Sequence, residues 1–124
     1  MPLITAADAR SFALPGLTVL GLASPSRGAS ETAVWRLTLA PGAPGAAHSV
    51  DREEVFVALA GAARATVDGA ETRLEAGEAL VVPPGVEFSL ANPYGEAFEA
   101  VVAFPVGGRA TMPGGEPFTP PWAE

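Results

Sequence analysis

The stretch Pro41–Gly61, PGAPGAAHSVDREEVFVALAG, is the most informative part of this sequence. It contains a turn rich in proline and glycine, the only histidine of the chain, an acidic cluster, and a short apolar segment closed by a glycine. Five residues separate Gly42 from His48, five more separate His48 from Glu54, and six lie between Glu54 and Gly61. The prolines and glycines force irregular backbone before the histidine. This order predicts a loop that leads through His48 to a β-strand beginning at Glu54.

Two segments near this stretch alternate between apolar and polar residues with the period of a β-strand. Thr32–Leu39 places Trp35 and its other large apolar side chains on one face. Glu54–Ala60 places Glu54 and Phe56 on one face, and its opposite face is also apolar. Strands that are apolar on both faces are usually covered on both. We therefore expect one face of this strand to line a barrel interior and the other to contact another layer or subunit.

Turn signals divide the rest of the chain into further short strands. Asp68-Gly69 predicts a tight hairpin within Arg64–Glu75, because such turns need residues that tolerate a positive φ. The other predicted strands are Leu17–Leu22, Ala79–Val82, Val86–Leu90 and Ala97–Val106. Strands spaced about ten residues apart, with no helical period, indicate an all-β sandwich or barrel.

The two ends of the chain are predicted to be less regular than the centre of a single domain, residues 1–124. Residues 1–16 are interpreted as an N-terminal arm along the barrel, or as a helical turn capped by Thr5 and Asp8. Residues 107–124 form a tail rich in proline and glycine, in which no regular element is expected. Phe118 and Trp122 of this tail are expected to dock on the barrel, because each has a large apolar area to bury.

The composition excludes several classes of function. The chain has no cysteine, which excludes disulfides, thiolate metal sites and thiol catalysis, and fits a cytoplasmic protein. A net charge of −7 without a basic cluster argues against nucleic-acid binding. No apolar run approaches the roughly 18 residues of a membrane span, and no signal peptide is predicted. Because 48% of the residues are hydrophobic, we expect a large core or a covered apolar face, and predict a homodimer.

The two central stretches resemble the paired sequence motifs of the cupin family of small β-barrels. The second stretch is Gly77–Asn92, with its own glycine, proline and asparagine spacing. The resemblance implies a double-stranded β-helix of the jelly-roll type, and it implies that dimers are common. Metal-binding cupins hold one divalent ion with three histidines and a glutamate. His48 and Glu54 match two of those positions, whereas Val50 and Phe88 replace the other two histidines.

This replacement decides the cofactor prediction. Mononuclear metal sites usually have three or more protein ligands, so no cofactor and no tightly held metal are predicted. If a divalent ion does bind, His48 and Glu54 are its ligands, and water completes the shell. A glutamate facing an apolar barrel must be paired, hydrogen-bonded or protonated with a raised pKa. Its candidate partners are His48, Arg36 and a ligand; alternatively, Glu54 lies in a solvated acidic rim at the barrel mouth.

Three functional hypotheses remain. The first is a cupin-fold protein of unassigned activity that binds a small, largely apolar or weakly polar molecule in its barrel. The predicted cavity residues are His48, Val50, Glu54, Phe88, Trp35, Phe56 and Phe104. His48 is interpreted either as an acid/base group of this cavity or as a histidine tied to a backbone carbonyl, and no catalytic residue is assigned. The second hypothesis is a metal-dependent oxygenase or isomerase, and the third is a structural dimer module with a filled barrel.

Overall fold

The computed structural model describes residues 3–124, which form short β-strands and three single 3-10 turns. The strands are β1 (Arg10–Leu14), β2 (Leu17–Ala23), β3 (Thr32–Leu39), β4 (Ser49–Val50), β5 (Glu54–Ala60), β6 (Ala62–Val67), β7 (Ala70–Glu75), β8 (Ala79–Val82), β9 (Phe88–Ala91), β10 (Phe98–Pro105) and β11 (Ala110–Thr111). The 3-10 turns are Ala6–Asp8, Pro25–Arg27 and Pro121–Ala123. The predicted all-β class is confirmed. No helix among residues 3–124 is long and apolar enough to cross a membrane.

The strands form antiparallel sheets in which early and late parts of the chain are interleaved. A six-stranded sheet has the order β1-β2-β3-β10-β5-β8, so the last long strand, β10, lies between β3 and β5. A three-stranded sheet has the order β7-β6-β9, and β4 pairs with β11. Buried residues of the six-stranded and three-stranded sheets pack into one hydrophobic core.

Strand β5 connects this core to the outer surface of the six-stranded sheet. Glu54 and Phe56 point inward and are buried, whereas Val57 and Leu59 point outward and are exposed. Gly61 ends the strand with a φ of +70°, and a side chain at this position would collide with the carbonyl oxygen of Ala97. Only glycine fits this positive φ and close approach. The side chains of β5 therefore alternate between the two sides of the sheet as predicted, whereas the covering of the outward side by another layer or subunit stays a prediction.

The central turns agree with the sequence prediction. Asp68 and Gly69 both have positive φ, 50° and 79°, and join β6 to β7 as the predicted hairpin. The predicted bounds of β3, β5 and β8 are those observed. The four residues of β8 are all apolar, which predicts a buried strand, but β8 is an edge strand with only Val82 fully buried.

The two ends of the chain differ from the prediction. The N-terminal arm contains strand β1, which pairs with β2, after the helical turn at Ala6–Asp8. The tail contains β11 and a 3-10 turn, so the expectation of no regular element there was wrong. Trp122 docks on the barrel as expected, with its ring 6.3 Å from Trp35. Phe118 does not: its main chain pairs with Ala110, while its side chain remains 42% exposed.

Candidate functional site

His48 enters the barrel opposite Phe88, because their backbones form an isolated antiparallel bridge. His48 N donates to Phe88 O at 3.0 Å, and Phe88 N donates to His48 O at 2.8 Å. Both side chains leave the bridge on the same side, with ring centroids 4.4 Å apart. The His48 Nδ1 lies 2.9 Å from Ala46 O. A carbonyl can only accept, so Nδ1 is the donor and carries a proton, which leaves Nε2 as the ring nitrogen that faces away from this contact.

Phe88 and Phe56 occupy the interior next to this histidine. The two rings lie edge to face with centroids 5.8 Å apart, a favourable geometry for aromatic pairs. Val50 lies two residues beyond His48, and so on the same side, and it is buried. His48, Val50, Phe56 and Phe88 therefore share one region, and of these four side chains only the imidazole contains nitrogen.

Glu54 is the polar group that this region buries most deeply. Its side chain is inward, beside Phe56 on β5 and paired across to Val82 on β8, and it is 6% exposed. Its Oε1 atom is buried and has no hydrogen-bond partner. Desolvation by burial raises the pKa of Glu54 from 4.5 to about 8. At neutral pH this carboxyl is therefore protonated, and it can donate one hydrogen bond as well as accept others.

The partners suggested by the sequence do not pair with Glu54. Arg36 points to the opposite face of the sheet, where its Nη2 atom lies 3.4 Å from Oε1 of Glu99. His48 uses Nδ1 for the backbone carbonyl, and no hydrogen bond links it to Glu54. Asp51 and Glu53 are exposed, unlike Glu54. Glu54 is thus separate from the acidic rim.

Trp35 and Phe104 belong to a second aromatic cluster, at some distance from His48. Trp35 packs edge to face on Phe104 at 6.2 Å, and Trp122 of the tail packs against Trp35 and Phe12. On β10, Val102 pairs with both Trp35 and Phe56, so one whole strand separates the two clusters. The sequence offered no pattern that links Trp122 to Trp35, because this contact joins residues far apart in the chain.

The donor set does not fit the metal that metal-binding cupins hold. Val50 and Phe88 are buried apolar side chains at the positions of two ligands, and the Phe88 ring packs on His48 itself. Residues 3–124 contain no cluster of three or more histidine, cysteine, aspartate or glutamate side chains that could hold an ion. Two donors leave most of an ion's coordination shell to water in surroundings that are otherwise apolar.

Two cavities lie outside the predicted site. One, of about 420 Å³, is an open groove at the edge of the three-stranded sheet. There the Arg73 guanidinium lies 4.5 Å from the centre of the Tyr94 ring. The other, of about 10 Å³, lies beside Trp122 and the last residue of the chain. None of the seven predicted cavity residues lines either one.

Comparison with known proteins gives a family and a fold. A family model described as "Cupin domain" matches residues 35–104, which is more than half of the chain. No curated protein matches the sequence.

Several solved structures have a similar fold. The polyketide cyclase RemF from Streptomyces resistomycificus has a TM-score of 0.76 and 18% identity, covering 85% of this chain and 79% of that one. An RmlC-like cupin from Shewanella frigidimarina has a TM-score of 0.71 and 21% identity, and the match covers 82% of this chain and 87% of that one. A salicylate 1,2-dioxygenase from Pseudaminobacter salicylatoxidans has a TM-score of 0.72 and 21% identity, and the match covers 86% of this chain but 33% of that one. At these identities the likeness shows the fold, and it confirms the predicted jelly-roll barrel.

Proposed function

This chain belongs to the cupin family, and on that premise we propose that its barrel binds a small, largely apolar molecule without a tightly held metal. The observation that carries the proposal is the Glu54 carboxyl, which is buried among apolar side chains with its Oε1 unpartnered. A buried polar atom without a partner costs about 1–3 kcal/mol. A ligand atom that hydrogen-bonds to Glu54 would recover this free energy on binding.

The surroundings of Glu54 select a neutral ligand. The carboxyl is protonated at neutral pH, so it can donate to a carbonyl or ether oxygen. Phe56, Phe88 and the imidazole of His48 pack on one another next to this carboxyl, so a ligand body that reaches Glu54 meets apolar and aromatic side chains. An anionic ligand would enter a chain of net charge −7, and Arg36, the cation that the sequence suggested as a partner of Glu54, pairs with Glu99 on the outside. The ligand class is therefore a small neutral compound with a hydrogen-bond acceptor.

A direct test uses neutral and charged probes of the same shape. Acetophenone and benzamide are neutral and carry a carbonyl oxygen, whereas benzoate is anionic. Binding is followed by chemical-shift changes in ¹H–¹⁵N spectra of the labelled protein at pH 6.5, with Glu54→Leu as the variant and Glu53→Leu as the exposed control. The neutral probes should shift the amides around His48 and Phe88 in the wild type and the control, and in the variant far less. Shifts caused by benzoate alone, or unaffected by Glu54→Leu, would contradict the proposal.

A structural role with a filled barrel is the second candidate. It is favoured by Phe88, Phe56 and Val50, which occupy the interior and are buried. In that case none of the probes binds the wild type at millimolar concentration, and Phe88→Ala, which removes one ring, creates a cavity in which acetophenone binds. Binding to the variant but not to the wild type would select this candidate. A metal-dependent oxygenase or isomerase is not proposed, because the donor set does not fit the ion.

A further inference from the structure

The open groove at the edge of the three-stranded sheet lies outside the barrel, and its charged side chains have no part in the barrel site. We call it the edge groove; its volume of about 420 Å³ is within the range of small-molecule sites. Its charged and aromatic lining residues are Arg73 and Glu75 of β7, and Tyr94 and Glu96 of the loop between β9 and β10. The other lining residues are glycines and alanines. We propose that the edge groove binds a small zwitterion, a compound with one carboxylate and one ammonium group.

The loop that carries Tyr94 and Glu96 is held from the interior of the protein by Asn92. The side chain of Asn92 is fully buried, and its Nδ2 donates to Leu39 O at 3.0 Å and to Glu96 O at 2.7 Å. Its Oδ1 accepts a hydrogen bond from Tyr94 N at 3.1 Å. A buried amide whose donors and acceptor are all paired makes the surrounding backbone rigid. This part of the edge groove is therefore formed before a ligand binds, which lowers the entropic cost of binding.

Arg73 is oriented in the edge groove by two contacts. Its guanidinium lies 4.5 Å from the centre of the Tyr94 ring, and its Nε lies 2.7 Å from Oε1 of Glu75. A guanidinium has five N–H donors in a planar fork, four of them on its two Nη atoms. Because the contact with Glu75 involves Nε, the Nη donors can bind the two oxygens of a ligand carboxylate.

A second arginine beside the edge groove also favours a bound carboxylate. Arg64 on β6 lies directly opposite Arg73 on β7, so the two side chains share one face of the sheet. Like charges in this arrangement destabilise a sheet. Among residues 3–124, Arg64 belongs to none of the ion pairs. A ligand carboxylate next to the two guanidinium groups would reduce their repulsion.

The carboxylates of the edge groove favour a cation in the same ligand. Glu75 lies two residues beyond Arg73 on the same face, about 7 Å further along β7. Glu96 is exposed and belongs to no ion pair within the described part of the chain. A simple anion would meet these two carboxylates, and a simple cation would meet the arginines. A zwitterion matches both signs, and its zero net charge is not repelled by a chain of net charge −7.

Three probes with the same body test the charge requirement on the wild type. At pH 6.5 L-phenylalanine is a zwitterion, N-acetyl-L-phenylalanine is an anion, and L-phenylalaninamide is a cation. Phenylalanine should shift the amide signals of Ala62, Ala76 and Gly95, with a dissociation constant in the millimolar range because exposed ion pairs are weak. Each of the other probes lacks one ion pair and should bind about three times more weakly. Absence of these shifts at about 20 mM phenylalanine, or equal affinity for all three probes, overturns the proposal.

Two charge variants then assign the two ends of the ligand. Arg73→Gln should weaken the binding of phenylalanine and N-acetylphenylalanine about three-fold, and should not weaken that of phenylalaninamide. Glu96→Gln should weaken phenylalanine and phenylalaninamide by a similar factor, and should not weaken N-acetylphenylalanine. Arg52→Gln is the matched control, because Arg52 is exposed and lies outside the edge groove. If both variants weaken all three probes alike, or weaken none, the proposal is wrong.

A groove-filling variant separates this site from the barrel. A side chain at Gly95 would meet no atom within 4 Å of its Cβ, and the position has no positive φ. Gly95→Trp should therefore fold normally, place an indole in the edge groove and abolish the binding of phenylalanine. Glu54→Leu should leave that binding unchanged, whatever it does to neutral ligands of the barrel. Binding that survives Gly95→Trp, or that is lost in Glu54→Leu, occurs elsewhere and also overturns the proposal.

Discussion

Replacing Glu54 with glutamine should remove most of the pH dependence of stability between pH 5.5 and pH 8. Burial raises the pKa of this carboxyl to about 8 in the folded chain, whereas exposed glutamate has a pKa of 4.5. Between those values the folded state holds a proton that the unfolded state has released. The contribution of Glu54 to the free energy of unfolding is therefore fully present below pH 4.5, and it is lost as the pH rises through the pKa of the folded chain.

The size of this effect follows from the shift. Each unit by which the pH exceeds the unfolded pKa costs about 1.4 kcal/mol, until the folded carboxyl also ionises. A pKa near 8 therefore predicts a loss of about 3 kcal/mol between pH 5.5 and pH 8, which levels off above pH 9. A small domain has only about 5–15 kcal/mol of stability, so the loss is easily measured. Urea unfolding followed by tryptophan fluorescence gives the free energy at each pH.

Glu54→Gln keeps the size and shape of the side chain but cannot ionise. The difference in unfolding free energy between wild type and variant cancels the other titrating groups, and it should change by about 3 kcal/mol over this range in favour of glutamine. Glu53→Gln is the matched control, because Glu53 precedes Glu54 and is exposed; its difference from wild type should stay flat. A difference for Glu54→Gln that stays equally flat would refute the reasoning, since Glu54 would then ionise as easily in the fold as outside it.

The tail and the lost metal ligands give two further predictions. Trp122→Ala removes a half-buried ring that packs on Trp35, and should lower the free energy of unfolding measured in urea by about 2 kcal/mol. Phe118→Ala removes an exposed ring and should lower it by less than about 1 kcal/mol. Equal losses would mean that the packing of Trp122 is unimportant. Val50→His with Phe88→His adds two imidazoles to His48 and Glu54, and should raise the zinc or nickel that copurifies from below one ion per chain towards one. A folded double variant without extra metal would mean that the four positions do not converge, and one tight ion in the wild type would restore the metal-enzyme hypothesis.

The parts of the fold that the sequence predicted well depend on local signals. The Asp68-Gly69 hairpin was predictable because those two residues accept the positive φ of the turn. The inward direction of Glu54 was predictable because alternation fixes which side chains share a face. In both cases a few neighbouring residues contain the physical cause.

The parts that the sequence missed depend on contacts between distant residues. Strands β1 and β11 are short, and they exist because β2 and β4 offer them backbone partners. The separation of Trp35 from Phe56 follows from the position of β10 between β3 and β5, which no local pattern reveals. The unpartnered Oε1 of Glu54 was also beyond the sequence, because Arg36 and His48 were both plausible partners until their contacts were known.

The alternation of strand β5 links the two sides of the sheet, because its residues point in turn to the barrel and to the outside. Its register is fixed by the pairing of Glu54 with Val82 and by Gly61, where only glycine fits against Ala97. Val57→Glu changes only the exposed side of this strand and should therefore keep Glu54 buried. When Glu54→Gln is added to Val57→Glu, the difference in unfolding free energy between the two variants should still change by about 3 kcal/mol from pH 5.5 to pH 8. If that change disappears in a folded Val57→Glu variant, the outward side of β5 helps to hold Glu54 in the barrel.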